Sequence, residues 1–415
     1  MASSITILEV SLYDKVIGTL THFPGEQTLF AFTQEYIDDV NRSTLSLSFK
    51  SRFGDLITDT PPTRIRVPPF FANLLPEGPL RDYLARRARV DARREFFLLA
   101  VLGEDLPGAV TLASPEGRSF SADGAHGSHD GDDEVNQSDH ALHFSLAGVQ
   151  LKFSAVMEAL GGFTIPASGS GGSWILKLPS TGFAGVPENE YTMMSLARAV
   201  GITVPDVKLV NLQDVAGLPP EMSHMDGQVL AVRRFDRTSD GGRVHIEDFA
   251  QVFRVYPDDK YAKASYRNLA EVIWAETGDE GIAEFIRRLV FNALIGNADM
   301  HLKNWSLIYP DRRTTALAPG YDFVATIAYL DDPNMALKFG KSKKMFELSR
   351  ETLQYFAAKA RLPERFVLDT ADETVRRFLS EWNKERKHLP LPSAAIATIE
   401  GHFQKISIVK ETSKA

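Results

Sequence analysis

Between Gly281 and Ile295 the apolar residues Phe285, Leu289 and Ala293, with Ile286, Val290 and Leu294 beside them, recur at three-to-four spacing. That periodicity predicts a helix whose apolar face is buried. It stops at Gly296 and runs directly into Asn297-Ala298-Asp299-Met300-His301-Leu302-Lys303-Asn304, with a β-like run, Trp305 to Tyr309, behind it. Four chemically capable side chains, Asp299, His301, Lys303 and Asn304, therefore fall where a buried helix ends and a strand begins.

Such a density fits phosphoryl transfer. The acceptor hydroxyl needs a carboxylate to orient it and take its proton. Magnesium on the nucleotide phosphates needs oxygen ligands, typically an Asn five residues after that carboxylate and an Asp further on. Asp299, Asn304 and Asp322, the last within Tyr321-Asp322-Phe323, have this order and spacing. The plainer reading makes the same three residues turn-capping loop polars.

The rest of the chain sorts into a β-rich part followed by a helical one. Period-two runs at Ile5–Tyr13, Val16–Leu20, Gln27–Phe32 and Leu45–Phe49 predict a small antiparallel sheet. A Pro-bounded aromatic helix start (Val67 to Gly78), a basic helix (Leu80 to Arg94) and a helix, turn and strand (Phe96 to Leu112) follow. Ser114 to Ala141, rich in Ser, Gly, Asp and His, is too polar to bury and reads as a linker. Its His126, His129, Asp130, Asp132, Asp133 and Glu134 could ligate a metal, but a hinge accounts for them more simply. Beyond it, His143 to Ser154 reads strand, Gly-bearing turn, strand. Ser173 to Pro179 is a strand with Lys177 at its centre, and Pro187 to Val200 is a helix whose first-turn Glu190 could pair with Lys177. Val204–Val210 and Gln228–Arg237 complete a five-stranded lobe. Helices are expected at Glu247–Phe253, Tyr266–Thr277 and Gly281–Ile295, and three or four more across residues 350–408. The fold class is thus α+β, in segments 1–113, 114–141 (linker), 142–245 and 246–415.

Composition narrows the chemistry. Cysteine is absent from the 415 residues, which excludes thiol catalysis, disulfides and cysteine-ligated zinc. A formal net charge of −8 makes nucleic-acid binding by the whole surface a poor expectation, so contact with DNA would come only through a partner. No apolar run is long enough to span a bilayer, and the first residues lack a signal-peptide pattern. A soluble cytoplasmic chain with no membrane contact is expected.

Strand lobe, helical lobe and the ordered Asp299, Asn304 and Asp322 give the plan of a two-lobed protein-kinase-like phosphotransferase, with a small β-rich subdomain in front. In detail the chain resembles the HipA family of toxin kinases from bacterial toxin–antitoxin modules. The resemblance rests on Phe70 to Gly78, Ser145 to Lys152, Ile175 to Pro179, Arg234 to Arg237, Glu247 to Gln251 and Gly296 to Asn304, in the family's order along nearly the whole chain.

Carried over by position, the resemblance implies Asp299 as catalytic base, Asn304 and Asp322 as Mg2+ ligands, and Lys177 on the phosphates of ATP. Ala147, Gly148, Val149, Gln150, Leu151 and Lys152 would cover those phosphates. The hinge Arg233, Arg234 and Phe235 would meet the adenine, and His301 and Tyr321 would line the site. Glu190 and Lys303 would act in support, and Ser145 would be the autophosphorylation site. It further implies a serine/threonine kinase that modifies a translation-related protein such as glutamyl-tRNA synthetase or another aminoacyl-tRNA synthetase. A helix-turn-helix antitoxin (HipB-like) would restrain it. The chain departs from ordinary protein kinases in having Val324 after Phe323, so no D-F-G, and no Arg before Asp299. Two other functions fit the same residues: a small-molecule phosphotransferase of this fold, or a degenerate scaffold acting with a DNA-binding antitoxin.

Overall fold

The computed structural model describes residues 5–115, 151–158, 162–166, 171–180, 182–219, 222 and 225–412. The amino-terminal part is a five-stranded antiparallel sheet of β1 (Thr6–Leu12), β2 (Lys15–Phe23), β3 (Gln27–Phe32), β4 (Thr63–Arg64) and β5 (Val110–Ala113), ordered β4-β3-β2-β1-β5. Alternation along β1 puts Leu8, Val10 and Leu12 on the buried face. They pack with Phe30, Phe70, Phe71, Leu98 and Leu99 in a core of their own. Helices α1 (Gln34–Asp38), α2 (Pro69–Ala72), α3 (Gly78–Ala88) and α4 (Glu95–Leu102) lie in this part.

A second sheet carries β6 (Lys152–Met157), β7 (Phe163–Thr164), β8 (Trp174–Lys177), β9 (Val207–Asn211), β10 (Val215–Ala216) and β11 (Gln228–Arg233), ordered β10-β7-β6-β8-β11-β9. Four of the five expected strands are among these six, the first one, expected at His143–Leu146, lying outside the described residues; Phe163–Thr164 and Val215–Ala216 add a short parallel pair at one edge. Two residues are too short a run to leave a period in the sequence. Helix α5 (Val186–Val200) packs on this sheet.

The helical part begins after β12 (His245–Asp248), which pairs with β13 (Ser306–Tyr309), in turn paired with β14 (Ala316–Leu317). β15 (Asn334–Phe339) and β16 (Ser342–Lys344) form a separate hairpin. The helices are α6 (Phe249–Val252), α7 (Tyr266–Ile295), α8 (Arg350–Ala360), α9 (Glu364–Glu385), α10 (Ser393–Phe403) and α11 (Ser407–Thr412). Phe285, Leu289, Leu294, Phe378 and Trp382 sit in one large core. Tyr266–Thr277 and Gly281–Ile295 are one element broken at Gly278, whose φ of 63° and ψ of −153° are not helical.

Three expected elements differ. The basic helix expected over Leu80 to Arg94 stops at Ala88, where Arg89 turns left-handed at φ 56°. Leu47–Phe49 is a 3-10 turn and not a strand: Ser46 Oγ accepts from Ser48 N at 3.0 Å and Glu247 Oε1 accepts from Leu47 N at 2.9 Å, so side chains satisfy backbone that a strand neighbour would otherwise pair. The helix expected over Glu247–Phe253 is a strand end followed by one turn. His245 and Glu247, two apart on β12, both turn fully buried side chains toward the amino-terminal part. Asp248 then starts the turn through a reciprocal capping box with Gln251.

Among the described residues no helix is long and apolar enough to cross a membrane.

Candidate active site

Helix α7 must stop where it does. Gly296 takes the left-handed conformation at φ 71°, and a Cβ there would lie 2.5 Å from Ile327 Cγ2. The loop that follows is held by buried side chains. Thr326 Oγ1 accepts from Ala298 N (2.8 Å) and donates to Gly296 O (2.9 Å). Asn297, 1% exposed, accepts from Asp299 N at 3.0 Å and donates to Asn292 Oδ1 at 2.9 Å and Asp322 O at 3.3 Å. Asn304 Nδ2 donates to Asp299 O at 2.8 Å. One hydrogen-bond network therefore ties Asp299, Asn304 and Asp322 together, although 23 residue positions separate the first from the last in the numbering.

The sheet of the strand lobe supplies the cations. Lys152 on β6 and Lys177 on β8 are direct cross-strand partners, so both point to one face. Like charges opposite each other are unfavourable unless an anion lies between them. Asp322 provides it, through an ion pair with Lys177 Nζ and a 3.6 Å approach to Lys152 Nζ. Lys177 also pairs with Glu190 on α5. Burial pulls the Lys177 ammonium down, but Asp322 and Glu190 outweigh it and hold its pKa above the usual lysine range. Burial likewise opposes charge on Asp322, and Lys152 and Lys177 overcome it, keeping the carboxylate ionised. Asp322 adopts φ 56°, a left-handed conformation that Asp tolerates. The next segment is fixed by Asn189, beside Glu190, whose amide accepts from Ala325 N at 2.8 Å and donates to Ala325 O at 3.2 Å.

Around Asp299 lie aromatic and basic groups. Tyr261 Oη donates to Asp299 Oδ1. His301, 2% exposed, meets the Tyr261 ring edge-on at 4.9 Å, and among the described residues neither of its ring nitrogens has a hydrogen-bond partner. Burial, helped by Lys260 and Lys303, holds His301 well below the ordinary histidine pKa, so the ring is neutral and can donate one hydrogen bond. Tyr321 Oη donates to Lys303 O at 2.8 Å and shares a 2.6 Å hydrogen bond with Ser306 Oγ; its ring lies 5.7 Å from that of Phe235. Lys303 points away from Asp322, to Glu77 Oε1 (2.7 Å) and Asn73 O (3.1 Å) in the amino-terminal part.

The remaining expected residues divide. Arg233 ends β11, its N–H donating to Asp206 O at 2.8 Å, and Phe235 faces Tyr321. The Arg234 guanidinium turns away, paired with Asp236 at 2.8 Å and Asp105 at 3.1 Å. Leu151 packs toward the strand-lobe core, and its carbonyl accepts from Leu178 N at 3.0 Å. Ser145, Ala147, Gly148, Val149 and Gln150 lie outside the described residues.

Tyr261, Lys260, Asn297, Thr326 and Asn189 carried no role in the sequence reading. The run Lys260-Tyr261-Ala262-Lys263 has no apolar period, and only the contact with Asp299 gives it meaning. Glu77 stood within a quoted motif, but its partners are far away in sequence.

The donor set suits a hard cation. Among the described residues no group of three His, Cys, Asp or Glu could hold a metal, whereas an Asp carboxylate and an Asn amide oxygen, completed by phosphate oxygens, are what Mg2+ needs. The arrangement holds the Asp322 carboxylate ionised and presents two lysines from the opposite sheet.

Comparison with known proteins places the chain in a family. The profile of the HipA N-terminal domain matches residues 8–113, and that of the HipA-like C-terminal domain matches residues 144–382. A protein of Sinorhizobium fredii named "Putative kinase Y4dM" is 53% identical over 413 residues, 99% of each chain. The "Serine/threonine-protein kinase toxin HipA" of Shewanella oneidensis is 24% identical over 411 residues, 89% of this chain and 87% of that one. In fold, a chain of the solved Shewanella oneidensis complex of HipA, HipB and operator DNA superposes with a TM-score of 0.74 at 21% identity, covering 98% of this chain and 99% of that one. The two matched domains and the near full-length relative lead to one conclusion: this chain belongs to the HipA family and has its two-lobed, kinase-type fold.

Proposed function

We propose that the protein is an ATP- and Mg2+-dependent serine/threonine protein kinase, acting in the cytoplasm as the toxin of a toxin–antitoxin module. The observation that carries this reading is the buried contact of Lys177 with both Glu190 and Asp322, in the same network as Asp299 and Asn304. Segments 1–113, 142–245 and 246–415 are its amino-terminal, strand-lobe and helical-lobe units, with 114–141 as linker.

In the proposed reaction the acceptor hydroxyl oxygen bonds to the γ-phosphorus of ATP, the bond from that phosphorus to the bridging oxygen of ADP breaks, and Asp299 takes the hydroxyl proton. Lys177 and Lys152 offset the charge of the phosphates, and the segment Ala147 to Lys152 covers them. Neutral His301 donates to a phosphate oxygen. Phe235 and Tyr321 flank the base, and the backbone of Arg233 to Phe235 meets its edge. Asn304 and Asp322 would hold Mg2+, which when bound would offset the charge that develops on the phosphates. Ser145 is the proposed autophosphorylation site. A phosphate there would add negative charge where the chain must approach another polyphosphate, opposing nucleotide binding.

The partner proposed is a HipB-like helix-turn-helix antitoxin, by analogy with the solved complex that joins HipA, HipB and operator DNA. Contact with DNA would then be indirect, as the net charge of −8 favours. The substrate class, a translation-related protein such as an aminoacyl-tRNA synthetase, rests on the family resemblance.

The test is phosphoproteomics after induced expression in bacteria, comparing the parent with Asp299→Gln. New phosphoserines and growth arrest are expected from the parent alone. Phosphorylated metabolites without new phosphoproteins would favour a small-molecule kinase, and equal growth arrest from both would remove the kinase account.

A further inference from the structure

The segment Tyr256–Lys263, between α6 and α7, touches the loop of Asp299 on one side and the amino-terminal part on the other. Toward the loop, Tyr261 Oη donates to Asp299 Oδ1, the Tyr261 ring lies against His301, and Lys260 O accepts from Leu302 N at 3.3 Å. Toward the amino-terminal part, Lys260 Nζ meets Glu77 Oε2 at 2.6 Å, Asp258 meets Arg66 at 2.7 Å, and the Arg66 guanidinium covers the Tyr256 ring at 4.2 Å. Glu77 closes the circuit because its other oxygen takes Lys303 from the loop itself. A single carboxylate thus grips both the segment carrying Tyr261 and the loop carrying Asp299. Its ionised state is secure: burial opposes it, but Lys303 and Lys260 bring its pKa down to about 2.

Resting on the kinase reading of Asp299, we propose that Tyr261 is a positioning residue for the Asp299 carboxylate, and that Glu77 of the amino-terminal part keeps Tyr261 and the loop in register through Lys260 and Lys303. An Asp side chain can turn its carboxylate about two torsions, and a hydrogen bond from a phenol to one oxygen fixes that plane. Hydrogen bonds to charged groups are the stronger kind, and small misplacements of a catalytic group are costly in rate. The amino-terminal part is on this reading a working portion of the active site.

The experiment uses the full-length chain and the variants Tyr261→Phe, Glu77→Gln and the double variant. Two readouts are combined. Steady-state transfer from ATP to a generic protein acceptor gives kcat and the ATP KM, and amide hydrogen exchange of residues 299–304 is followed without nucleotide. Tyr261→Phe should lower kcat about tenfold or more while the ATP KM stays within about twofold. Glu77→Gln should act in the same direction by a smaller factor, and the double variant should lose less than the product of the two. Exchange at 299–304 should speed up in all three. An unchanged or increased kcat in Tyr261→Phe overturns the proposal, an increase meaning that the phenol blocks the acceptor position. Effects that multiply, or exchange that does not change, also overturn it. If the parent transfers no phosphate to any acceptor, the kinase reading fails by itself, and the exchange data alone decide whether the tether exists.

Discussion

Lys177 at the end of β8 and Asp322 beyond β14 meet in a direct ion pair that bridges the strand lobe and the helical lobe. With Glu190 as a second partner, Lys177 is 5% exposed and pairs with two carboxylates at once, Glu190 buried and Asp322 partly so. Removing it therefore leaves Glu190 without its ion-pair partner and Asp322 with Lys152 alone.

The variant Lys177→Met is expected to lose at least about a hundredfold in phosphoryl transfer, and to lose stability by roughly 3 kcal/mol because buried Glu190 loses its ion-pair partner while Asp322 keeps Lys152. Urea denaturation and initial rates measure the two effects. Adding Glu190→Gln to Lys177→Met should restore part of the stability and none of the activity.

Gly296→Ala should destabilise the protein by about 1–3 kcal/mol. Its φ of 71° is unfavourable for Ala, and the new methyl group would press on Ile327 and His402. Equilibrium denaturation checks this; a loss under about 0.5 kcal/mol would mean that the loop has room to adjust.

The junction between the amino-terminal part and the helical lobe carries two opposed pH dependences. Burial pushes Glu247 up to about 7 from 4.5, against donors Ser46, Tyr309 and Leu47 N. Its folded form keeps a proton that the unfolded chain has released, so its contribution is fully present below about pH 4.5 and is lost as pH rises through 7. Burial lowers His245 to about 4 from 6.5, so folding excludes a proton that the unfolded chain takes up, and stability is lost as pH falls from 6.5 through 4. In their shared window the two slopes oppose each other. Relative to the parent, Glu247→Gln should gain stability as pH rises from 4.5 to 7, and His245→Gln should gain as pH falls from 6.5 to 4. Each slope is at most about 1.4 kcal/mol per pH unit. Thermal melts of the two variants against the parent across pH 4 to 8 read the difference directly.

Much of this architecture was legible in the sequence, for a physical reason. Long periodic segments announce themselves: Phe285, Leu289 and Ala293 gave the helix, Gly296 its end, and the polar loop its place. The strand of Lys177 was legible because Trp174, Ile175 and Leu176 make a β run, and its pairing with Glu190 was open from the helix start beside it. Glu247 was misplaced into a helix because its burial depends on Ser46 and Tyr309, 201 and 62 positions away. Tyr261 and Glu77 were silent for the same cause. A hydrogen bond between distant residues leaves no local period, and only the packed chain brings Tyr261 to Asp299.

The account's central claim is that Asp299 serves a phosphoryl transfer at a site shared with Lys177, Asn304 and Asp322. The measurement that tests it most directly follows labelled γ-phosphate from ATP onto protein, with Mg2+ present, for the purified parent and Asp299→Asn. Transfer to serine by the parent, reduced by about three orders of magnitude or more in Asp299→Asn while ATP still binds, is the predicted result. Equal transfer by both proteins, or none by the parent under conditions where it binds ATP and Mg2+, would contradict it.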